Sequence, residues 1–254
     1  MNGQPDIPDQ PPAEEVTAIF EARTFVASKF LRGTGIEVGG GARAFPHPVS
    51  ARILYGDIRE KNALEKYFQE SKSENEVKID EYINAETFAG IKNESLDFVI
   101  SAHVIEHLRD PIGSIVNAIR VLKPAGTHIL VVPDMRYTFD RGRPETTIDH
   151  VLADYADGGA STCRASYEEH LRYVHPILTG EKCPEAEIQR QASIGEERWP
   201  EFDIHFHAWT RAGFETLLCA AKQFAPFTVE TTVFVVNENI FVLRKQSSET
   251  VGSA

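Results

Sequence analysis

The stretch Gly35-Ile-Glu-Val-Gly-Gly-Gly41, read together with a second acid at Asp57, limits what this chain can fold into more than any other feature. Ile36 and Val38 belong to a short apolar run expected to be a buried strand, and Glu37 interrupts it with a charge. The glycines that follow let the backbone turn tightly and come close to a ligand, because no Cβ blocks the approach. Ala51-Arg-Ile-Leu-Tyr-Gly-Asp57 reads as a second strand ending in a carboxylate. A glycine turn after one strand and an acid closing the next is the arrangement that grips an adenosine ribose by its hydroxyls.

Pro46 and Pro48 stand between these two strands, so the usual crossover helix is not expected there. A diphosphate would need a helix N-terminus at this point, whereas a cofactor without phosphates would not. Further along, Ala63–Glu70 reads as a helix, Glu76–Ile79 as a third strand and Ser95–Ser101 as a fourth. Asp110-Pro111 opens a helix running to Val121, with proline at its permissive first position. Thr127–Val132 is a fifth strand, Thr210–Phe224 an amphipathic helix, and Phe227–Val236 with Asn239–Arg244 a closing antiparallel hairpin. Strands alternating with helices, and apolar on both faces, imply a Rossmann-like doubly wound α/β fold with a mostly parallel sheet.

Residues 14–245 are expected to form a single domain that opens with a helix over Glu14–Leu31. Tails at 1–13 and 246–254 are expected to be disordered from their composition. Residues from about 135 to 204 carry helical patterns (Thr147–Tyr155, Ser166–Tyr173, Glu185–Ser193) but no strand pattern. That length exceeds a simple connection and predicts a helical insertion or lid after the fifth strand.

The net charge of -12 argues against a nucleic-acid partner and against an anionic membrane surface. A local basic patch from Arg136, Arg141 and Arg143 stays open. Three cysteines without a CxxC pair suggest free thiols and a cytoplasmic protein, with no membrane-length apolar run.

Taken in order, these segments resemble the class I S-adenosylmethionine-dependent methyltransferases over roughly Gly35–Pro133 and the last helix and hairpin. Glu37, Gly39 and Gly41 match that family's acid-x-Gly-x-Gly motif, and Asp57 its ribose-binding acid. Asn84-Ala85-Glu86 stands where the family has its adenine-side loop. SLDFVISAHVIEHLRDP and VLKPAGTHILVVPD match its fourth- and fifth-strand segments, while Arg43 departs from it where a third glycine is common. The resemblance implies S-adenosylmethionine as cofactor, S-adenosylhomocysteine as product, and Glu37, Gly39, Gly40, Gly41, Asp57, Asn84, Ala85, Ser101 and Ala102 around it. It places His103 as candidate general base toward a small-molecule acceptor. Stretches like His205–Thr210 and Asp140–Pro144 are found in members linked to sugar or glycan metabolism.

Asp134, Arg136 and Tyr137, just past the fifth strand, and His205 and His207 are candidate acceptor-binding residues. His205-Phe-His207 would put two imidazoles on one face if extended, which suits a metal as well as a buried return segment; no metal ligand is assigned. His103-Val-Ile-Glu106-His107 spells a zinc-peptidase motif, which requires a long helix that Asp110-Pro111 cuts short. A nicotinamide-dependent oxidoreductase and a non-catalytic cofactor-binding module are the remaining alternatives.

Overall fold

A computed structural model describes residues 12–41, 44–58 and 80–247. Among the described residues seven strands form one sheet: β1 (Gly33–Val38), β2 (Ala51–Asp57), β3 (Glu81–Tyr82), β4 (Leu96–Ala102), β5 (Leu122–Pro133), β6 (Phe227–Val235) and β7 (Glu238–Lys245). Their order is β3-β2-β1-β4-β5-β7-β6. β1 to β5 run parallel, and β7 pairs antiparallel with both β5 and β6. The doubly wound sheet with its terminal hairpin is the fold that the sequence pattern implies.

Period-two alternation gives each central strand two buried faces. Ile36, Val38, Val99, Leu130 and Phe241 pack under α2 (Pro111–Val121) and α7 (Arg211–Ala221). The alternate residues Phe98, Ile100, Ile129, Val131 and Val242 pack with Val26 and Ala27 of α1 (Ala13–Phe30). Both of the helices on the first face start where the sequence says they should. Asp110 accepts from the Gly113 amide ahead of Pro111, and Thr210 accepts from the Gly213 amide.

The strand expected over Glu76–Ile79, the helix over Ala63–Glu70 and most of both expected tails lie outside the described residues. The third strand that is described is the two-residue β3. Residues 44–50 hold no helix, in keeping with Pro46 and Pro48.

Between β5 and α7 the chain forms α3 (Ile148–Asp157), α4 (Cys163–Glu169), a π-helical turn over His170–Val174, α5 (His175–Thr179) and α6 (Glu185–Glu197). This insertion has its own small core of Tyr167, Leu171, Ile188, Ala192, Ile204 and Phe206. It leaves and re-enters the sheet at one place, where Asp134 bridges Trp209 and the Met135 amide donates to the Trp209 carbonyl.

Arg143 clamps the two ends of the insertion together. Its buried guanidinium pairs with Asp140 at 3.2 Å and Glu169 at 2.6 Å and donates to the His205 and Phe206 carbonyls. Removing it strands a buried carboxylate, so Arg143→Ala is expected to lower unfolding free energy by about 3–5 kcal/mol, measured by urea denaturation. A loss under about 1 kcal/mol would show that the clamp is dispensable.

Candidate active site

The carboxyl ends of β1, β2 and β4 open into a cavity of about 600 Å³, within the usual range for a small-molecule site. Its walls come from the glycine loop (Gly39, Gly40, Gly41), from Asp57, from Asn84 to Glu86, and from Ala102 to Val104. Arg23 of α1, Asn237 and Glu238 of the hairpin, and Trp199, Phe202, Asp203 and Phe206 around the end of the insertion complete it. The insertion therefore lies at the carboxyl edge of the sheet, over the cavity.

Gly39 adopts φ +66°, and a Cβ there would sit 2.6 Å from Val104 Cγ2. Backbone geometry and space together demand glycine at the point where a ligand must approach the chain. Glu37 is fully buried behind this loop and accepts from the Phe45 amide at 2.9 Å. Burial raises its pKa to about 7, against the lowering effect of that hydrogen bond. Its carboxylate buttresses the loop from beneath and is absent from the cavity wall. Asp57 is buried at the end of β2 and does face the cavity.

Asn84 Oδ1 accepts from the Glu86 amide, closing a tight turn, and Ala85 is fixed by Ser114 Oγ donating to its carbonyl. Glu86 in turn accepts from the Arg109 and Asp110 amides at the start of α2. Ser101, by contrast, turns into the sheet interior and hydrogen-bonds His128 at 3.2 Å. Of the nine residues expected around the cofactor, seven line the cavity, while Glu37 and Ser101 support it from behind.

His103 ends β4 in a left-handed conformation, φ +53°, which is uncommon for a residue with a Cβ and concentrates at functional sites. Its Nε2 lies 2.7 Å from Glu238 Oε1, and its Nδ1 lies 3.4 Å from Glu106 Oε1. Glu238 is also held by Arg23 through two hydrogen bonds of 3.0 and 2.6 Å. Burial acts to lower the His103 pKa, but the two carboxylates outweigh it and raise the value to about 9. The segment after it is a single turn, Ile105–His107, rather than the long helix that a zinc peptidase would need.

Asp134, Arg136 and Tyr137 do not line the cavity. Arg136 closes back on the buried Asp134 at 2.7 Å, and Tyr137 packs on Phe234. Arg143 adds no exposed charge to the basic patch left open with Arg136 and Arg141, since it is buried in its clamp. His205 lies one layer behind the cavity, bonded to Asp140 at 2.7 Å and edge-on to His107. His207 is buried against Trp209. The two imidazoles of His205-Phe-His207 thus serve different clusters.

Arg23, Glu238 and the Trp199–Phe206 wall were not expected from the sequence. Arg23 looks like any polar position on an amphipathic helix. Glu238 did carry a signal: a strand antiparallel to β5 must begin at the carboxyl edge of the sheet, where ligands sit.

Residues 33–130 match the family model described as a methyltransferase domain. No curated protein matches the sequence. Among solved structures, a chain described as a putative zinc-dependent alcohol dehydrogenase from Rhodobacter sphaeroides aligns with a TM-score of 0.50 at 14% identity. The alignment covers 94% of this chain and 92% of that one, and what is shared at such identity is the fold alone. A putative methyltransferase from Bacillus halodurans (15% identity, 90% and 99% coverage, TM-score 0.48) is also similar. So is a possible histamine N-methyltransferase from Thermotoga maritima (15%, 89% and 89%, 0.48). Residues 33–130 thus carry a methyltransferase domain, which implies S-adenosylmethionine as cofactor and S-adenosylhomocysteine as product.

The cavity fits that cofactor. It offers a glycine cradle that a Cβ would fill, the buried carboxylate of Asp57 on its wall and no need of a helix N-terminus. Asp57→Ala is expected to weaken S-adenosylhomocysteine binding about 10- to 100-fold by calorimetry, as removal of a charge-assisted hydrogen bond should. Unchanged affinity would remove Asp57 from the site.

Because the folded pKa of His103 lies above its ordinary 6.5, its pairing stabilises the fold fully below pH 6.5. That contribution is lost as pH rises through about 9. Melting temperature should therefore decline across this window, and the decline should flatten in Glu238→Gln. An identical slope in that variant would refute the pairing.

Proposed function

We propose that the chain methylates a small hydroxylated acceptor, sugar-like or glycan-related, by in-line displacement, with His103 taking up the hydroxyl proton. The observation that carries this reading is the presence of His103, hydrogen-bonded to Glu238, on the wall of the same cavity as Trp199, Phe202 and Phe206. Aromatic faces beside acid and imidazole groups suit a molecule with apolar C–H faces and hydroxyl edges. The bound cofactor supplies an electrophilic methyl group on a sulfonium. The chain's part is to hold the acceptor oxygen in line, exclude water and accept a proton.

The insertion does the excluding. Arg109 lies over the Trp199 ring at 3.8 Å and fixes one wall. Tyr167 donates to the Phe202 carbonyl and fixes another. His107 is oriented by Asp203 at 2.7 Å. Free thiols at Cys163, Cys183 and Cys219 fit a reducing, cytoplasmic setting, and no described helix is long and apolar enough to cross a membrane. Nucleic acid is not part of this reading, since the cavity rim carries Asp203, Glu86 and Glu238 rather than a basic stripe.

At neutral pH His103 holds a proton, so it can accept another group's proton only after losing its own. With a hydroxylated acceptor, kcat/KM is expected to rise about tenfold per pH unit through neutrality and to level at or below about 9. A positive sulfonium in the same cavity moves that level downward. His103→Asn should cost about 100-fold or more and abolish the pH dependence. Full activity in that variant, or a flat pH profile in the wild type, would sink the base assignment. An acceptor methylated on carboxylate would instead retain activity and lose affinity.

A further inference from the structure

The second imidazole of His205-Phe-His207 points away from the cavity into a separate cluster. His207 Nε2 lies 3.6 Å from Asp154 Oδ2, and His150 Nε2 lies 3.4 Å from the same oxygen. His150 and Asp154 are one turn apart on α3, so they share a face. The side chains of His207 and Asp154 are each 1% exposed. All three converging atoms are shielded from solvent and have no hydrogen-bond partner.

Three buried polar atoms without partners carry a desolvation cost that native structures rarely leave uncompensated. Direct hydrogen bonds do not compensate it, since N···O separations of 3.4 and 3.6 Å are too long. The spacing suits something placed between the atoms. Two ligands held by one ion at about 2.1 Å, at a tetrahedral angle, are about 3.4 Å apart.

We propose that His150, Asp154 and His207 bind a divalent transition-metal ion of the zinc type. Their three donor atoms lie within 4.8 Å of one another. Two imidazoles and a carboxylate favour zinc or a neighbouring transition metal over magnesium or calcium, which take oxygen donors. Thr162 donates to the other oxygen of Asp154 and orients that carboxylate, as outer partners of metal ligands do. The ion ties α3 of the insertion to His207, whose amide donates to the Glu106 carbonyl at 3.2 Å. It is thereby a structural pin between the insertion and the turn that carries His103.

A second group of donors, Glu106, His107 and His205, lies closer to the cavity. It differs in having its rings engaged by Asp203 and Asp140 and its carboxylate beside His103. It is the competing location that the test must separate.

The test uses the full chain, stripped with chelator and titrated with Zn²⁺, reading bound metal by mass spectrometry and stability by thermal melting. One tightly held Zn²⁺ per chain is expected, with a higher melting temperature that Mg²⁺ does not reproduce. His150→Gln, on the partly exposed helix face, should lose the tight site. Thr162→Val should weaken it about 10- to 100-fold. Asp154→Asn should behave like His150→Gln wherever it folds. The proposal fails if the wild-type chain holds no stoichiometric Zn²⁺. It fails equally if His150→Gln binds as the wild type does, or if Glu106→Gln alone abolishes binding. None of these readings depends on methyl transfer.

Discussion

Glu238 joins parts of the chain that are far apart in sequence. It accepts two hydrogen bonds from Arg23 on the first helix and holds His103 at the end of β4. A charge buried this deeply is tolerated only when it is paired, and each member of the set pairs the next. Helix α1, the last hairpin and the carboxyl edge of the sheet are thus fixed by one connected group of charges. The cavity floor depends on it, since His103 keeps its left-handed backbone only while surrounding contacts hold it there.

The same logic governs the insertion. Arg143 satisfies Asp140 and Glu169 and caps the carbonyls of His205 and Phe206, while Asp140 orients His205. The insertion's small apolar core could not by itself dictate where the insertion sits against the sheet. Buried charge pairs with one acceptable geometry supply that definition, and they bring Trp199, Phe202 and Phe206 to the cavity.

Local chemistry made much of this legible in the sequence. The glycine turn, the acid ending β2, the capped start at Asp110-Pro111 and the terminal hairpin each follow from short-range rules, and together they specify the sheet. The convergence of the glycine loop, Asp57 and Ala85 on one cavity follows too, because strand ends are placed by topology. The acceptor side does not. Asp134, Arg136 and Tyr137 sit just after β5, as sequence order suggests, yet Arg136 folds back on Asp134 and leaves the cavity. Arg23 and Glu238 are paired across 215 positions, and no local pattern encodes such a contact. Spacing would put His205 and His207 on one face if the segment were extended, but the rings meet different partners, Asp140 for His205 and Asp154 for His207.

Charge around the cavity also bears on which cofactors this doubly wound sheet can take. Asp57, Glu86, Asp203 and Glu238 line it, with Glu106 buried immediately behind, against Arg23, which Glu238 engages, and the protonated His103. Of these acids, Glu106 and Glu238 are the ones that drive His103 to keep its proton. A dinucleotide's diphosphate would meet unfavourable charge here, and residues 44–50 provide no helix end to receive it. A sulfonium meets the opposite situation: it is a cation entering a cavity lined by several carboxylates. The acidic lining and the missing crossover helix therefore select the same cofactor for independent reasons, one electrostatic and one geometric.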